Sequence, residues 1–432
     1  MARMKHGMGS TLLAGCWLLL AGMTPAQSLD GLDDYLAHAE AHHPALEAAR
    51  SRTETLRQEA SVAGALPDLK LAWGEMIVPV ETRVGPQQRV LSLSQSLPWF
   101  GTLGSAATAA DLRAAAGDMR RQEAQLDVRR DVYQAWFEVA RLQAEQDLVQ
   151  RKLTLLRQEE ATARAAYESG SVPYSGLVRL QMTLRRLQTR LLTLEDAMGP
   201  ATSSLALAAG LPADFPPSPR AQLPSRPDVL PERAELASRL RAANPALESL
   251  RLQEQSFGHD VETARLRGRP GLTLGLDYIM TGEAAMAGTQ DSGKDPVVAR
   301  VAVSLPLWSG KATAQRQASI GRRETAAAQR RRLELDLEDR LQRTLFRLRD
   351  ADRQLALLTD DLLPAARRLE EAARADYETG RAGFADFLAA GRDILDLETE
   401  ILRHEADMAL ALVDLDILLG GEGDAFLAYP GD

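Results

Sequence analysis

Three histidines gather near the start of the chain, at His38, His42 and His43. His38 and His42 stand four apart, so on a helix both imidazoles would share one face and could bind a zinc-like ion. His43, however, precedes Pro44 at what reads as a helix start, a position that suits a cap better than a ligand. Met76, Met280 and Met286 could hold a soft metal through thioether sulfur, but scattered methionines more often fill packing gaps. His404 sits on an apolar stripe and reads as packing, and Arg330-Arg331-Arg332 reads as a solvated helix face. Cys16 is the only cysteine, which excludes a disulfide framework and a Cys-rich metal centre. No nucleophile elbow, phosphate loop, HExxH or paired-carboxylate arrangement is present. The chain therefore does not read as an enzyme and calls for no cofactor. A formal net charge of −9 argues against a nucleic-acid partner.

The elements that would carry such residues begin with an export signal. Arg3, Lys5 and His6 form a basic start, Leu12 to Met23 a short apolar run, and Thr24-Pro25-Ala26 a small-residue site, giving a signal peptide over 1–26. Leu13-Ala14-Gly15-Cys16 offers an alternative, lipidation of Cys16, which would tether the mature chain to a membrane. No other segment approaches the roughly 20 apolar residues of a spanning helix.

The rest is a duplication. His43-Pro44-Ala45-Leu46-Glu47 returns 201 positions later as Asn244-Pro245-Ala246-Leu247-Glu248. Leu97-Pro98-Trp99-Phe100-Gly101 returns loosely as Leu305-Pro306-Leu307-Trp308-Ser309-Gly310, and Tyr167-Glu168-Ser169-Gly170 as Tyr377-Glu378-Thr379-Gly380. The spacing predicts a first repeat over 27–210, a Pro-rich linker over 211–231, a second repeat over 232–421 and a tail over 422–432.

Each repeat reads as helix, two strands, very long helix, turn, long helix. The first opens near Leu29–Ala63 with a break at His43-Pro44. Strands follow near Leu69–Val78 and Arg89–Leu97, then a helix over Thr102–Glu168 of about 100 Å. Such a helix suits a coiled coil rather than a compact core. The second repeat places strands near Leu272–Tyr278 and Val298–Leu305 and a helix over Ala312–Tyr377, interrupted or restarted at Pro364. Heptad stripes mark packed helices. One runs through Leu177, Leu180, Leu184, Leu187, Leu191, Leu194 and Met198. A second runs through Phe387, Ile394, Ile401, Met408 and Leu415, and a third through Leu341, Leu348, Leu355 and Leu362.

The strands alternate large apolar with small or polar residues, as in Leu91-Ser92-Leu93-Ser94, so the sheet has one greasy and one wet face. Trp73 and Tyr278 lie in strands, while Trp99, Phe100 and Trp308 follow strand ends, where an outer-membrane barrel carries its aromatic girdle. In lipid an open sheet leaves edge amides unpaired, so four strands must close with other copies. Three copies give 12 strands.

At this point the chain resembles the TolC family of outer-membrane efflux proteins. The resemblance rests on Asn244-Pro245-Ala246-Leu247-Glu248, Gln95-Ser96-Leu97-Pro98-Trp99-Phe100-Gly101, Leu362-Leu363-Pro364-Ala365-Ala366-Arg367, and Tyr377-Glu378-Thr379-Gly380-Arg381 leading to Asp386-Phe387-Leu388. It implies a mainly α fold with β: a homotrimer with a 12-stranded barrel among outer-membrane lipids and a coiled-coil tunnel into the periplasm. It further implies docking to a periplasmic adaptor and an inner-membrane pump through two turns. Those turns hold Gly170, Val172 and Leu177 in one repeat and Gly380, Phe384 and Leu388 in the other. Asp386 matches a family gate aspartate, whereas Ala389 and Gly176 stand where relatives often carry further aspartates. The Pro-Trp-Phe-Gly segment resembles the heavy-metal branch. Metal ions, small organic toxins and secreted polypeptides are the expected cargo classes, in that order. A periplasmic coiled-coil adaptor or scaffold is the competing class; it would account for the heptads but not for the girdled strands.

Overall fold

A computed structural model describes residues 29–169, 174–215, 221–227, 233–379 and 381–421. The signal segment with Cys16, the turn residues Gly170, Val172 and Gly380, and the tail 422–432 lie outside the described residues. The first half runs α1 (Leu32–His42), α2 (Pro44–Ala63), β1 (Lys70–Thr82), β2 (Gly85–Leu97), α3 (Thr102–Glu168) and α4 (Tyr174–Ala208). The second runs α5 (Arg233–Ala243), α6 (Pro245–Arg267), β3 (Gly271–Thr281), β4 (Val297–Ser304), α7 (Ser309–Ala356), α8 (Leu363–Glu378) and α9 (Phe384–Leu418). A π-helical turn, Leu357–Leu362, joins α7 to α8.

The duplicated Pro sites start α2 and α6. His43 Nδ1 accepts the Ala45 N–H at 3.1 Å, and Asn244 Oδ1 accepts the N–H groups of Ala246 and Leu247 at 3.1 and 3.2 Å. Each cap satisfies amides that the first turn leaves free, and proline needs none. His43 is therefore engaged in capping, while the His38 and His42 rings stand 4.9 Å apart on α1. Among the described residues no group of three or more His, Cys, Asp or Glu side chains is placed to hold a metal.

The four strands form one antiparallel sheet in the order β1-β2-β3-β4, so the two repeats meet at β2–β3. Strands β1 and β2 reach further than their sequence suggests. Pro79 falls within the register shift between Glu75 and Val80, on an outer strand, where a missing N–H is tolerated. Gly85 turns the hairpin with φ of +131°, and a Cβ there would lie 1.8 Å from the Gly282 carbonyl oxygen. Gly85→Ala should thus push the two outer hairpins apart and cost about 1–3 kcal/mol. A thermal midpoint equal to that of the parent would show that this contact does not matter.

The helices continue the order of the strands. Next to the sheet, α2 packs on α3, α3 on α6 and α6 on α7; further away α3 packs on α4 and α9, and α9 on α7 and α8. One lateral edge of the molecule is thus β1 with α2, and the other is β4 with α7. Helix α3 has 67 residues, about 100 Å of helix. One apolar core joins α1, α3 and α4 through Tyr35, Phe137, Leu153, Leu180 and Leu205. A second joins α5, α7 and α9 through Leu240, Leu341, Leu348, Leu412 and Leu415.

The stripes of α4 and α9 face these cores: Leu177, Leu180, Leu184, Leu194, Phe387, Ile394, Met408 and Leu415 are buried, and Leu187, Leu191, Met198 and Ile401 are half-buried. The third stripe departs from expectation. Leu341, Leu348 and Leu355 are buried, but Leu362 is exposed. In the π turn the Leu363 N–H bonds to the Leu358 carbonyl, five residues back, which rotates the face so that Leu358 and Ala366 are buried instead. Pro364 then occupies the first turn of α8, where its lack of an N–H is harmless. Arg330 also departs from the solvated reading: its Nε lies 3.1 Å from Glu254 of α6, tying α7 to α6.

Two carboxylates bolt long helices together. Glu145 of α3 is 2% exposed and takes Arg141 Nη1 and Arg190 Nε of α4, each at 3.0 Å. Asp414 of α9 takes Arg130 of α3 at 2.7 Å and Arg347 of α7 at 2.8 Å.

Candidate functional site: the sheet faces and the helical tips

The register sorts the sheet residues by face. Leu71 lies opposite Leu93, and Leu93 opposite Leu276; Trp73 lies opposite Leu91, and Leu91 opposite Tyr278. Leu272 and Leu274 continue this face to Val303 and Val301. These side chains are large, apolar and mostly exposed, and Phe100 and Trp308 just past the strand ends are 85% and 83% exposed. The eight residues of β4 span about 26 Å, close to the roughly 25 Å apolar band of a membrane barrel. On the same face beyond Trp73, Arg89 Nε meets Glu75 at 3.2 Å, and β1 continues past this charged pair with exposed Ile77, Val78 and Val80.

The opposite face carries Lys70, Ala72, Ser92, Ser94, Ser96, Thr273, Gly275, Asp277, Arg300 and Ala302 in register. Ser92 Oγ donates to Asp277 Oδ1 at 2.5 Å, and Arg300 pairs with Asp277 Oδ2. Both sheet edges, β1 and β4, lack a partner strand within the described residues.

At the far end the two hairpin tips interlock. Leu177 is buried and Leu388 packs partly buried on the first core, while Phe384 opens α9. The Phe387 ring stacks on Tyr377 at 6.3 Å, with the Arg374 guanidinium 5.3 Å above it. Burial, and then the nearby Glu159 charge, push the Tyr377 hydroxyl pKa up. Tyr167 and Tyr174 face each other across the first turn at 5.6 Å. Arg374 reaches Glu159 of α3 at 3.3 Å, and Lys152 of α3 reaches Glu370 of α8 at 3.6 Å. A cavity of about 180 Å³ lies between the hairpins, lined by Lys152, Glu159, Glu370, Phe387 and Leu388.

Asp386 is exposed and its carboxylate accepts the Gly383 N–H at 3.2 Å, capping the start of α9 from its first turn. Asp34 does the same for Gly31 at 3.1 Å. The capping role is therefore built in, and the exposed carboxylate still stands at the tip. His404 lies between Glu400 and Asp407 at 3.9 and 4.0 Å, mostly buried against its helix. The Glu159–Arg374 and Lys152–Glu370 links had no signal in the sequence, because their partners stand more than 200 residues apart in unrelated charge patterns.

Residues 236–421 match the sequence model of the family described as outer membrane efflux protein. No curated protein sequence matches the chain. Solved structures share its fold. The outer membrane protein VceC of Vibrio cholerae superposes with a TM-score of 0.73 at 19% identity, over 90% of this chain and 96% of its own. CusC, described for its transmembrane channel formation, gives 0.73 at 14% identity over 91% and 93%. The open-state MtrE channel of Neisseria gonorrhoeae gives 0.70 at 18% over 90% and 89%. The second part of the chain, residues 236–421, thus carries the sequence of the outer membrane efflux protein family, and about 90% of the chain shares the fold of these channels.

Proposed function

We propose that three copies of this chain close into a 12-stranded barrel in the outer membrane, continued by a helical tunnel into the periplasm. The channel is a passive conduit, loaded by a periplasmic adaptor and an inner-membrane pump. One observation carries the reading: a sheet with a large exposed apolar face and two unpaired edges, each edge strand flanked by an edge helix. Lipid covers such a face, and in lipid only a closed sheet satisfies its backbone. In the trimer β4 meets β1 of the next copy and α7 meets its α2, so strands and helices close together. Trp73, Trp99, Phe100, Tyr278 and Trp308 then form the interfacial belts. The tips around Leu177 and Leu388, with Gly170, Val172, Gly380 and Phe384, receive the adaptor.

Metal ions or small toxic compounds are the proposed cargo, metals on the strength of Pro98-Trp99-Phe100-Gly101. Two measurements test the reading. The protein should remain with outer membranes after salt washing and cross-link as a trimer; soluble monomer would overturn the channel. A deletion strain should lose resistance to copper, silver, zinc, cobalt or cadmium and retain more metal. Sensitivity confined to dyes, bile salts or antibiotics would replace metal by organic cargo.

A further inference from the structure

Charge on the wet face of the sheet is not balanced. Across the paired strands that face carries two cations, Lys70 and Arg300, and one anion, Asp277. The three differ in what they show to water. Asp277 is sealed between Ser92 and Arg300, with 5% of its side chain exposed, whereas the Arg300 side chain is 64% exposed. Lys70 is exposed and stands opposite Ser94, at the end of the sheet nearer the helices. The carboxylate thus anchors the guanidinium to the wall and hides its own charge. The surroundings are small, Ser92, Ser94, Gly275 and Ala302, so nothing on this face covers the two cations.

We infer that the barrel wall bears a cationic belt, built by Arg300 and Lys70, that favours anions over cations at the exit. The inference rests on the proposed trimer, in which the wet face lines the lumen. Three copies place six basic groups and three sealed acids around one water-filled passage, an excess of three positive charges. A low-dielectric wall concentrates the field of fixed charges in the passage, and salt beyond a Debye length of about 10 Å weakens it. At low ionic strength such an exit conducts small anions more readily than small cations, whichever cargo the pump delivers. The belt opposes the net charge of −9 of the whole chain, so composition alone points the other way.

The test is the reversal potential of single trimers in planar bilayers under a potassium chloride gradient at low ionic strength. Comparison between variants holds the helical tips constant. Lys70→Gln and Arg300→Gln should each shift the reversal potential toward cation preference, and Asp277→Asn should shift it toward anions. Arg300→Lys should keep the parent value. The shifts should fade as salt rises. Arg300→Gln leaves Asp277 unpaired and can fail to assemble; Lys70→Gln leaves that pair intact and then decides the matter. Parent reversal potentials in both Lys70→Gln and any assembled Arg300→Gln trimer would overturn the belt. A parent protein that forms no conducting trimer would instead overturn the channel on which the belt depends.

Discussion

Glu145→Ala should destabilise the helical body by about 3 kcal/mol, the low end of the 3–5 kcal/mol seen when one partner of a buried ion pair is removed. The carboxylate is 2% exposed and carries the contacts of two guanidiniums, one on its own helix α3 and one on α4. Removing it takes from Arg190 its carboxylate across the helices, while Arg141 keeps its two-bond pair with Glu138 at 2.7 and 3.0 Å. Arg141 is one quarter exposed and Arg190 about half, so water recovers part of the loss. That is why the low end of the range applies. Glu145→Gln keeps an acceptor oxygen and should cost less than the alanine. Thermal unfolding of the purified protein in detergent, followed by circular dichroism, reads the difference. An alanine variant within about 1 kcal/mol of the parent would show that α3 and α4 hold together by the leucine seam alone.

Much of this architecture was legible because long-range order here follows from local pattern. The span of α3 could be read from the absence of proline between Pro98 and Pro173, and it ends at Glu168 as expected. The sheet faces could be read because the period of two survives in all four strands, and the register keeps Leu opposite Leu and the serines opposite small or polar residues such as Ala72, Gly275, Thr273 and Asp277. What was not legible depends on geometry that no single segment encodes. Leu362 fits a heptad, but the π turn before Pro364 rotates it out of the core. Pro79 looks like a strand end, yet an outer strand with a register shift accommodates it. Arg330 looks like part of a solvated run until Glu254 of α6 is placed beside it. Asp386 was visible as a helix-start acid, and its capping bond bears that out; what three copies of it do at a shared axis is a matter of assembly.

Arg374→Ala should open the helical tip, because Arg374 ties the two hairpins together through Glu159 and braces its own hairpin through the Phe387 ring. It pairs with Glu159 of α3 at 3.3 Å, lies over the Phe387 ring of α9, and shares that ring with Tyr377 of its own helix. The ion pair is half exposed on one side and is worth about 0.5–1 kcal/mol, and the ring contact adds about as much. Lys152–Glu370, both mostly covered, supports the same junction from the other side of the cavity. Each protomer therefore holds its tip by only about 1–2 kcal/mol from Arg374, and one substitution removes that contribution from all three copies at once, roughly 3–6 kcal/mol in a trimer. A difference of that size turns a rarely open tip into a mostly open one. Single-channel conductance should rise several-fold in Arg374→Ala and in Glu159→Ala. The swapped pair Arg374→Glu with Glu159→Arg should regain part of the closure, since it restores the ion pair and loses only the ring contact. Conductance equal to the parent in both single variants would mean that the tips close on the apolar contacts of Leu177, Phe387 and Leu388 without help from charge.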